Sequence, residues 1–399
     1  MIQIVGLVIA FALIVVLTGK RVNPALSIMI GAIGLAISYG ASVQDFIRLS
    51  IRTLEDPETI NLTLLVTTIG ILGYCMKETK LIDDLITGLK TILATKTLVA
   101  AIPAIVGLMP MPGGALLSAP LIDEEADKLK LTPERKVTVN IAFRHIWFYV
   151  FPLSSTLILA SGLAGIGLYQ LILMQIPSFL ISIALGYILF IRRLDSDQDH
   201  KTKRDYKLVI KGLAPILIAL TLNLAGLYMA VSVALGVFSS LLIKKIRPQR
   251  ALALLWQGIP WTPALSIVGV MIFRYAIGES NAVPFLLGIL KDVKVPLLMF
   301  ATLFPLLIGA VSGLAIAGAG ISVPVILPLF GTTAPALVSI IVLSTYAGYY
   351  ISPLHLCLVL SNQFYKAKIQ RVYRLWIPYT LAVCGIGMLF DILVLARWL

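Results

Sequence analysis

Residues 144–156 read RHIWFYVFPLSST and residues 345–356 read TYAGYYISPLHL. Each is an apolar, aromatic run suited to a buried helix. Each is broken by a proline, Pro152 or Pro353, and followed by polar residues: Ser154, Ser155 and Thr156 after the first, His355 after the second. A proline inside a helix removes a backbone donor, frees a carbonyl and kinks the chain. The two prolines are 201 residues apart, and the same offset pairs Tyr74 with Tyr275, Glu78 with Glu279, Lys90 with Lys291, Leu157 with Leu358, Pro177 with Pro378 and Gly186 with Gly387. One constant offset across three elements makes chance a poor explanation and points to an internal duplication. In blocks, GYCMKETKLIDDLITGLK at 73–90 answers RYAIGESNAVPFLLGILK at 274–291.

The rest of the chain places these breaks in a membrane. Apolar residues make up 59% of the 399 and charged residues 13%, with a mean hydropathy of +0.98. A soluble domain of this size needs a larger polar skin. A β-barrel would alternate over segments of about ten residues, whereas the apolar runs here are longer, so helices are the remaining way to satisfy the backbone in lipid. Ten runs fit full spans: 2–18, 24–40, 60–76, 137–160, 167–191, 208–227, 229–243, 262–278, 336–361 and 375–396. Two further apolar stretches, 97–122 and 296–328, are interrupted by Pro and Gly and read as re-entrant hairpins. Segments 43–54, 80–95, 249–259 and 281–293 read as amphipathic and interfacial. Met1 is followed at once by an apolar run without a basic leader, which predicts a retained helix.

The polar stretch from Arg192 to Lys211 divides the chain. The domain organisation read from this is a first repeat at 1–193 (hairpin about 97–127, broken helix 137–160), a cytoplasmic linker at 194–207, and a second repeat at 208–399 (hairpin about 296–328, broken helix 336–361). Five spans per repeat is an odd number, so the repeats must be inverted. With the linker in the cytoplasm, 25 of the 32 Lys and Arg fall inside and 5 outside, Arg144 and Arg274 lying within spans. The net charge of +13 is thus read as the positive-inside bias of a cytoplasmic, multi-pass inner-membrane protein with both termini external, rather than as a nucleic-acid footprint. Cys75, Cys357 and Cys384 sit singly in apolar runs and read as inert core residues, with no metal spacing.

Inverted repeats with interrupted helices are the sequence signature of secondary transporters, and the interruptions mark the site. The first hairpin tip is Met109-Pro110-Met111-Pro112-Gly113-Gly114, whose return arm carries Ser118; an arm beginning there aims free N–H groups at the tip, which suits an anion. The second break runs from Ser312 through Gly313, Gly318 and Gly320 to Ser322. The candidate binding residues are therefore Pro112, Gly113, Gly114, Ser118, Arg144, His145, Pro152, Ser154, Ser155, Thr156, Gly313, Gly318, Gly320, Ser322, Ser352, Pro353 and His355. Intramembrane charges are costly and mark function by default, so Arg144 reads as an anion clamp and His145 or His355 as a proton-linked group. Arg274 and Glu279 read as interfacial ion-pair partners, and Asp391 as a group reaching water near the end of its span.

The layout resembles the ion transporter superfamily, with an architecture like that of divalent-anion/sodium symporters. Within it, MPGGALLSAPLIDEE, RHIWFYVFPLSS and YYISPLHL resemble the prokaryotic integral-membrane domain-of-unknown-function family 401. The resemblance implies an all-α, elevator-type transporter in which hairpins and broken helices form a mobile domain and the first spans of each repeat form a scaffold, commonly a homodimer. The hairpin tips here lack the Ser-Asn-Thr signature of the divalent-anion branch, so dicarboxylate specificity and a sodium site are not carried over. The expected function is elevator-type secondary transport of a small organic anion, a carboxylate first, coupled to Na+ or H+ at the broken-helix sites. No cofactor, resident metal or nucleic-acid partner is called for; the expected partners are the small-molecule or ion substrate and the lipid bilayer. A cation/proton antiporter, a channel and an intramembrane enzyme are the alternatives, the last lacking any enzyme signature.

Overall fold

A computed structural model describes residues 2–20, 22–109, 114–194 and 204–397. The described residues form helices and no strands. The first series is α1 (Ile2–Gly19), α2 (Pro24–Ser38), α3 (Val43–Glu55), α4 (Pro57–Glu78), α5 (Leu81–Ile92), α6 (Thr95–Gly107), α7 (Ala115–Lys128), α8 (Pro133–His145), α9 (Ser155–Ala164) and α10 (Leu168–Gly186). The second is α11 (Tyr206–Leu224), α12 (Met229–Ile243), α13 (Pro248–Gln257), α14 (Trp261–Ser280), α15 (Ala282–Asp292), α16 (Leu297–Ser312), α17 (Ala315–Phe330), α18 (Pro335–Ile351), α19 (Leu356–Tyr365) and α20 (Ile369–Leu395). The second series repeats the order of the first element by element.

Local chemistry sets the boundaries. Pro133 and Pro335 open the equivalent helices α8 and α18, where the missing N–H costs nothing. Ser42 and Asp45 close a reciprocal capping box on α3, and Asp56 caps α4 ahead of Pro57. Left-handed turns recur in pairs that differ in residue type. Lys80 at φ +60° answers Asn281 at +51°, Lys130 at +53° answers Gly331 at +64°, and Gly165 at +66° answers Lys366 at +51°. A lysine in this region costs about 1–2 kcal/mol relative to the right-handed conformation, so its use at one end of a repeated turn needs a reason beyond the backbone.

Among the described residues, six helices are long and apolar enough to cross a membrane: Pro57–Glu78, Leu168–Ile191, Tyr206–Leu224, Trp261–Ser280, the interrupted Pro335–Tyr365 and Ile369–Leu395. This is fewer than the ten runs predicted. Helix α2 ends after 15 residues and α12 after 15, because the chain turns at Tyr39 and Lys244 before 18 apolar residues accumulate. The predicted span 137–160 is divided between α8 and α9, too short to span alone. The predicted amphipathic segments are α3, α5, α13 and α15.

Packing divides the helices into two groups. In one, α2 lies on α14 and α12 on α4, so each series supports its counterpart, with α1 on α2 and α11 on α12. In the other, α6 doubles back on α7 and α16 on α17, and the arms exchange partners: α7 packs on α19, α17 on α9. The interior of the second group is nearly side-chain-free at two equivalent crossings. A Cβ on Gly107 of α6 would stand 2.1 Å from the Arg144 carbonyl oxygen, and one on Gly309 of α16 would stand 2.4 Å from that of Thr345. Gly348 is tighter still, its Cβ position lying 1.9 Å from the Leu306 carbonyl. Small residues at such crossings let backbones approach where lipid supplies no hydrophobic drive. Salt links then fasten the far end of the first hairpin: the buried Lys136 ammonium bonds Asp123 and, at 2.8 Å, Asp127. The Gly348→Ala variant should therefore lose about 1–3 kcal/mol or more through overpacking, read as a lower midpoint of thermal unfolding in detergent; an unchanged midpoint would mean α16 and α18 are not held this closely.

Candidate functional site

Helix α8 does not end at a cap. It passes into a tight turn at Ile146–Tyr149 and reaches Pro152, and α9 starts at Ser155. Helix α18 ends at Ile351 and α19 starts at Leu356. The interruptions face each other across the axis of the second group, and side chains of α18 and α20 partner main-chain groups at the breaks. Tyr346 Oη donates to the Phe148 carbonyl at 3.0 Å, and Tyr350 Oη lies 3.5 Å from that of His145. From α20, Trp376 Nε1 donates to the Tyr350 carbonyl at 2.7 Å. Ser352 Oγ donates to the Ala310 carbonyl of α16, tying the second hairpin to the break.

Arg144 sits at the start of the first break and is 3% exposed. Its Nη1 donates to the Val106 carbonyl at 2.9 Å, near the end of α6, and a Cβ on Gly114 would stand 2.1 Å from Nη2. The guanidinium thus bridges both arms of the first hairpin. Its equivalent in the second series is Thr345, so the charge is present once. An arginine at membrane depth costs about 2.5–3.5 kcal/mol on insertion scales.

A cavity of about 210 Å³ opens beside it. Gly107 and Met109 line it from the first hairpin, Gly313 to Ile316 from the second, Arg144, Trp147, Phe148 and Ser154 to Thr156 from the first break, Tyr349 and Cys357 from the second, and Pro263 from α14. The volume is below the 300 Å³ or so of a drug-sized site and suits a small ligand. The indole Nε1 of Trp147 is buried without a hydrogen-bond partner among the described residues. Among the described residues the wall therefore carries a cation, hydroxyls and an N–H donor, and no carboxylate.

The predicted residues fall in several distinct places. Arg144, Ser154, Ser155, Thr156 and Gly313 line the cavity, and Gly114 packs against the Arg144 guanidinium. His145 and His355 lie against its wall, fully buried, with their Nε2 atoms 3.2 Å apart. Pro152, Ser352 and Pro353 make the breaks but do not line the cavity. Ser118 lies behind the wall, where its Oγ donates to Asn140 Oδ1 at 2.6 Å while Asn140 Nδ2 donates to Ser361 Oγ at 2.9 Å. Gly318 and Gly320 are placed at helix crossings, against Thr345 and Val270, and Ser322 is buried on α17 away from the cavity. Pro112 and Gly113 lie outside the described residues.

Two readings change. Cys75 and Cys384 are core residues, but Cys357 lines the cavity beside both imidazoles. Asp391 does not reach water: it is 0% exposed and accepts a hydrogen bond from Ser339 Oγ. Helices α10 and α18 cover it, Gln175 Nε2 donating to Ser339 Oγ at 2.9 Å. Arg274 pairs with Glu58 at 2.7 Å. Position 201 residues after Thr156 was the available signal for Cys357. Trp147, Phe148 and Tyr349 had none, since aromatic residues in a span ordinarily pack.

This is a polytopic α-helical membrane protein with the fold of a solved transporter. The structure of the YdaH transporter of Alcanivorax borkumensis, described as having an unusual topology, superposes with a TM-score of 0.64, covering 90% of each chain at 16% identity. The chain belongs to the family described as "Protein of unknown function (DUF401)", whose model matches residues 4–396. No curated protein matches the sequence.

A Gly114→Ala change displaces only the far end of a flexible side chain, whereas Gly107→Ala drives into backbone. Gly107→Ala should lower the unfolding midpoint, and Gly114→Ala should leave it nearly unchanged while altering whatever Arg144 binds. Equal destabilisation by the two would place the guanidinium elsewhere.

Proposed function

We propose that the protein is a secondary active transporter of a small organic anion, a carboxylate first among the candidates, working by alternating access of the cavity between the facing breaks. The observation that carries this is the buried Arg144, a permanent cation that lines the cavity. A carboxylate that reaches it gains charge-assisted hydrogen bonds of about twice the neutral strength. Hydroxyls at Ser154, Ser155 and Thr156 and the Trp147 N–H complete a donor set for the remaining oxygens.

The elevator form of the mechanism draws on the packing. Helices α6–α10 and α16–α20 make a unit that carries the cavity, and α1, α2, α4, α11, α12 and α14 make the other unit, with Pro263 of α14 on its border. The inverted orientation is supported by the paired turns: Lys80, Lys130 and Lys366 would face the cytoplasm, and Asn281, Gly331 and Gly165 the outside. In this scheme four of the five left-handed lysines among the described residues lie on the cytoplasmic side, in keeping with the positive-inside bias, and Lys294 lies outside.

A second reading, cation/proton antiport, gains an acidic group from the burial of Asp391. That carboxyl is not among the residues lining the cavity, which leaves anion transport the better fit, with Asp391 a candidate for the coupling proton. The coupling ion is Na+ or H+ on either reading.

The test is ligand-dependent stabilisation of the purified protein. Acetate, succinate, benzoate, sulfate and phosphate would be screened by thermal unfolding at fixed pH, with and without sodium. A ligand at 100 times its dissociation constant stabilises by about 2.7 kcal/mol. At least one carboxylate should raise the midpoint of the unaltered protein and leave that of folded Arg144→Ala unmoved. Stabilisation of both proteins alike would take Arg144 out of the site.

A further inference from the structure

Cys357 of the cavity wall stands with His145 and His355, which lie behind that wall; the ligand-type atoms of the three all lie within 4.8 Å of one another, and all three residues are buried. They come from both breaks: His145 ends α8, while His355 and Cys357 begin α19. The hydrogen bonding of the two rings is incomplete as it stands. His145 Nδ1 is 2.6 Å from the Ile141 carbonyl, so that nitrogen carries the proton and Nε2 presents a lone pair. His355 Nε2 faces this lone pair at 3.2 Å and must supply the proton between them. A neutral His355 then has no proton on Nδ1, which faces the Tyr350 carbonyl at 3.4 Å, lone pair against lone pair. Charging His355 would supply the missing proton at the cost of a second buried cation beside Arg144.

A metal ion in place of the shared proton satisfies every group. Both Nε2 atoms then ligate, and both Nδ1–H groups donate to backbone carbonyls, Ile141 and Tyr350. That is the outer-shell arrangement metal-bound histidines adopt, and it fixes tautomer and ring orientation. The spacing agrees. Two nitrogens at about 2.0–2.1 Å from a tetrahedral ion stand about 3.3 Å apart, against 3.2 Å between these two. The thiol supplies a third ligand of the soft type.

We propose that His145, His355 and Cys357 form a binding site for a thiophilic d10 ion of the Zn2+ class, with its fourth position open to the cavity. Binding converts the Cys357 thiol to a thiolate and releases that one proton to solvent; the imidazoles bind neutral, the His355 proton moving from Nε2 to Nδ1. The thiolate leaves a bound divalent ion with one net positive charge beside the Arg144 guanidinium, so the fourth ligand is an anion taken from the cavity. The inference stands on the three side chains and does not require the transport reading.

The test uses Co2+ as a spectroscopic stand-in for Zn2+ on the full-length, detergent-purified, chelator-stripped protein. One equivalent of Co2+ should bind, giving a thiolate-to-metal charge-transfer band and the intense visible absorption of a four-coordinate ion, both abolished by Zn2+. Cys357→Ser should lose the charge-transfer band. His355→Gln should weaken binding by well over the tenfold or so typical of outer-shell changes. The double variant Cys75→Ser/Cys384→Ser should bind as the unaltered protein does. If either ligand variant fails to fold, protection of Cys357 in the unaltered protein from alkylation by Zn2+, mapped by mass spectrometry, replaces it. Absence of a thiolate band at one equivalent, identical spectra for the unaltered protein and folded Cys357→Ser, or undiminished alkylation of Cys357 in the presence of Zn2+ would overturn the site.

Discussion

The structure turns on main-chain groups that two helix breaks leave unpaired where water is scarce. An unsatisfied buried carbonyl or N–H costs about 1–3 kcal/mol, and more in hydrocarbon, so a break persists at depth only if side chains answer it. Here neighbouring elements answer the breaks: Tyr346 and Tyr350 of α18 reach back to Phe148 and His145, Trp376 of α20 caps Tyr350, and Ser352 fastens the Ala310 carbonyl of the second hairpin. The helices cannot part without exposing these groups. The cavity, the arginine and the histidine contact all follow from the breaks being held face to face.

The duplication supplies the frame and its departures supply the chemistry. Gly107 against the Arg144 carbonyl repeats as Gly309 against that of Thr345, so the two crossings are built alike. Their side chains differ. The partner of Arg144 is Thr345, of His145 it is Tyr346, of Ser154 it is His355 and of Thr156 it is Cys357. A symmetric scaffold therefore encloses one asymmetric site, in which a permanent cation stands beside paired imidazoles and a thiol. An anion bound to Arg144 and a metal bound to the imidazoles would each lower the cost of the other by charge compensation.

Most of the helical order is legible in the sequence, because prolines and glycines announce breaks and a constant offset announces repetition. Amphipathic segments α3, α5, α13 and α15 follow from their polar faces. The limits are equally physical. Fewer helices reach 18 residues than the apolar runs suggest, because hydropathy does not see where Tyr39 or Lys244 ends a helix. Arg144 and His355 stand out as costly residues in apolar runs, yet their relation to Cys357 depends on two breaks 201 residues apart meeting in space. Asp391 looks terminal along the chain and is sealed by Gln175 and Ser339, which no local pattern announces. Gly318 and Gly320 resemble a flexible tip and are packing positions, since a small residue in a span serves either purpose.

The central claim is that the cavity between the breaks opens in turn to each side of the membrane. A single cysteine at Ser155, placed on the cavity wall in a background with Cys75, Cys357 and Cys384 replaced by serine, reports this directly. Its reaction with a membrane-impermeant maleimide should be measurable from both faces of oriented vesicles, and a bound anion or an imposed sodium or pH gradient should shift reactivity from one face to the other. Reaction from one face alone, at a rate indifferent to anion and gradient, would contradict alternating access.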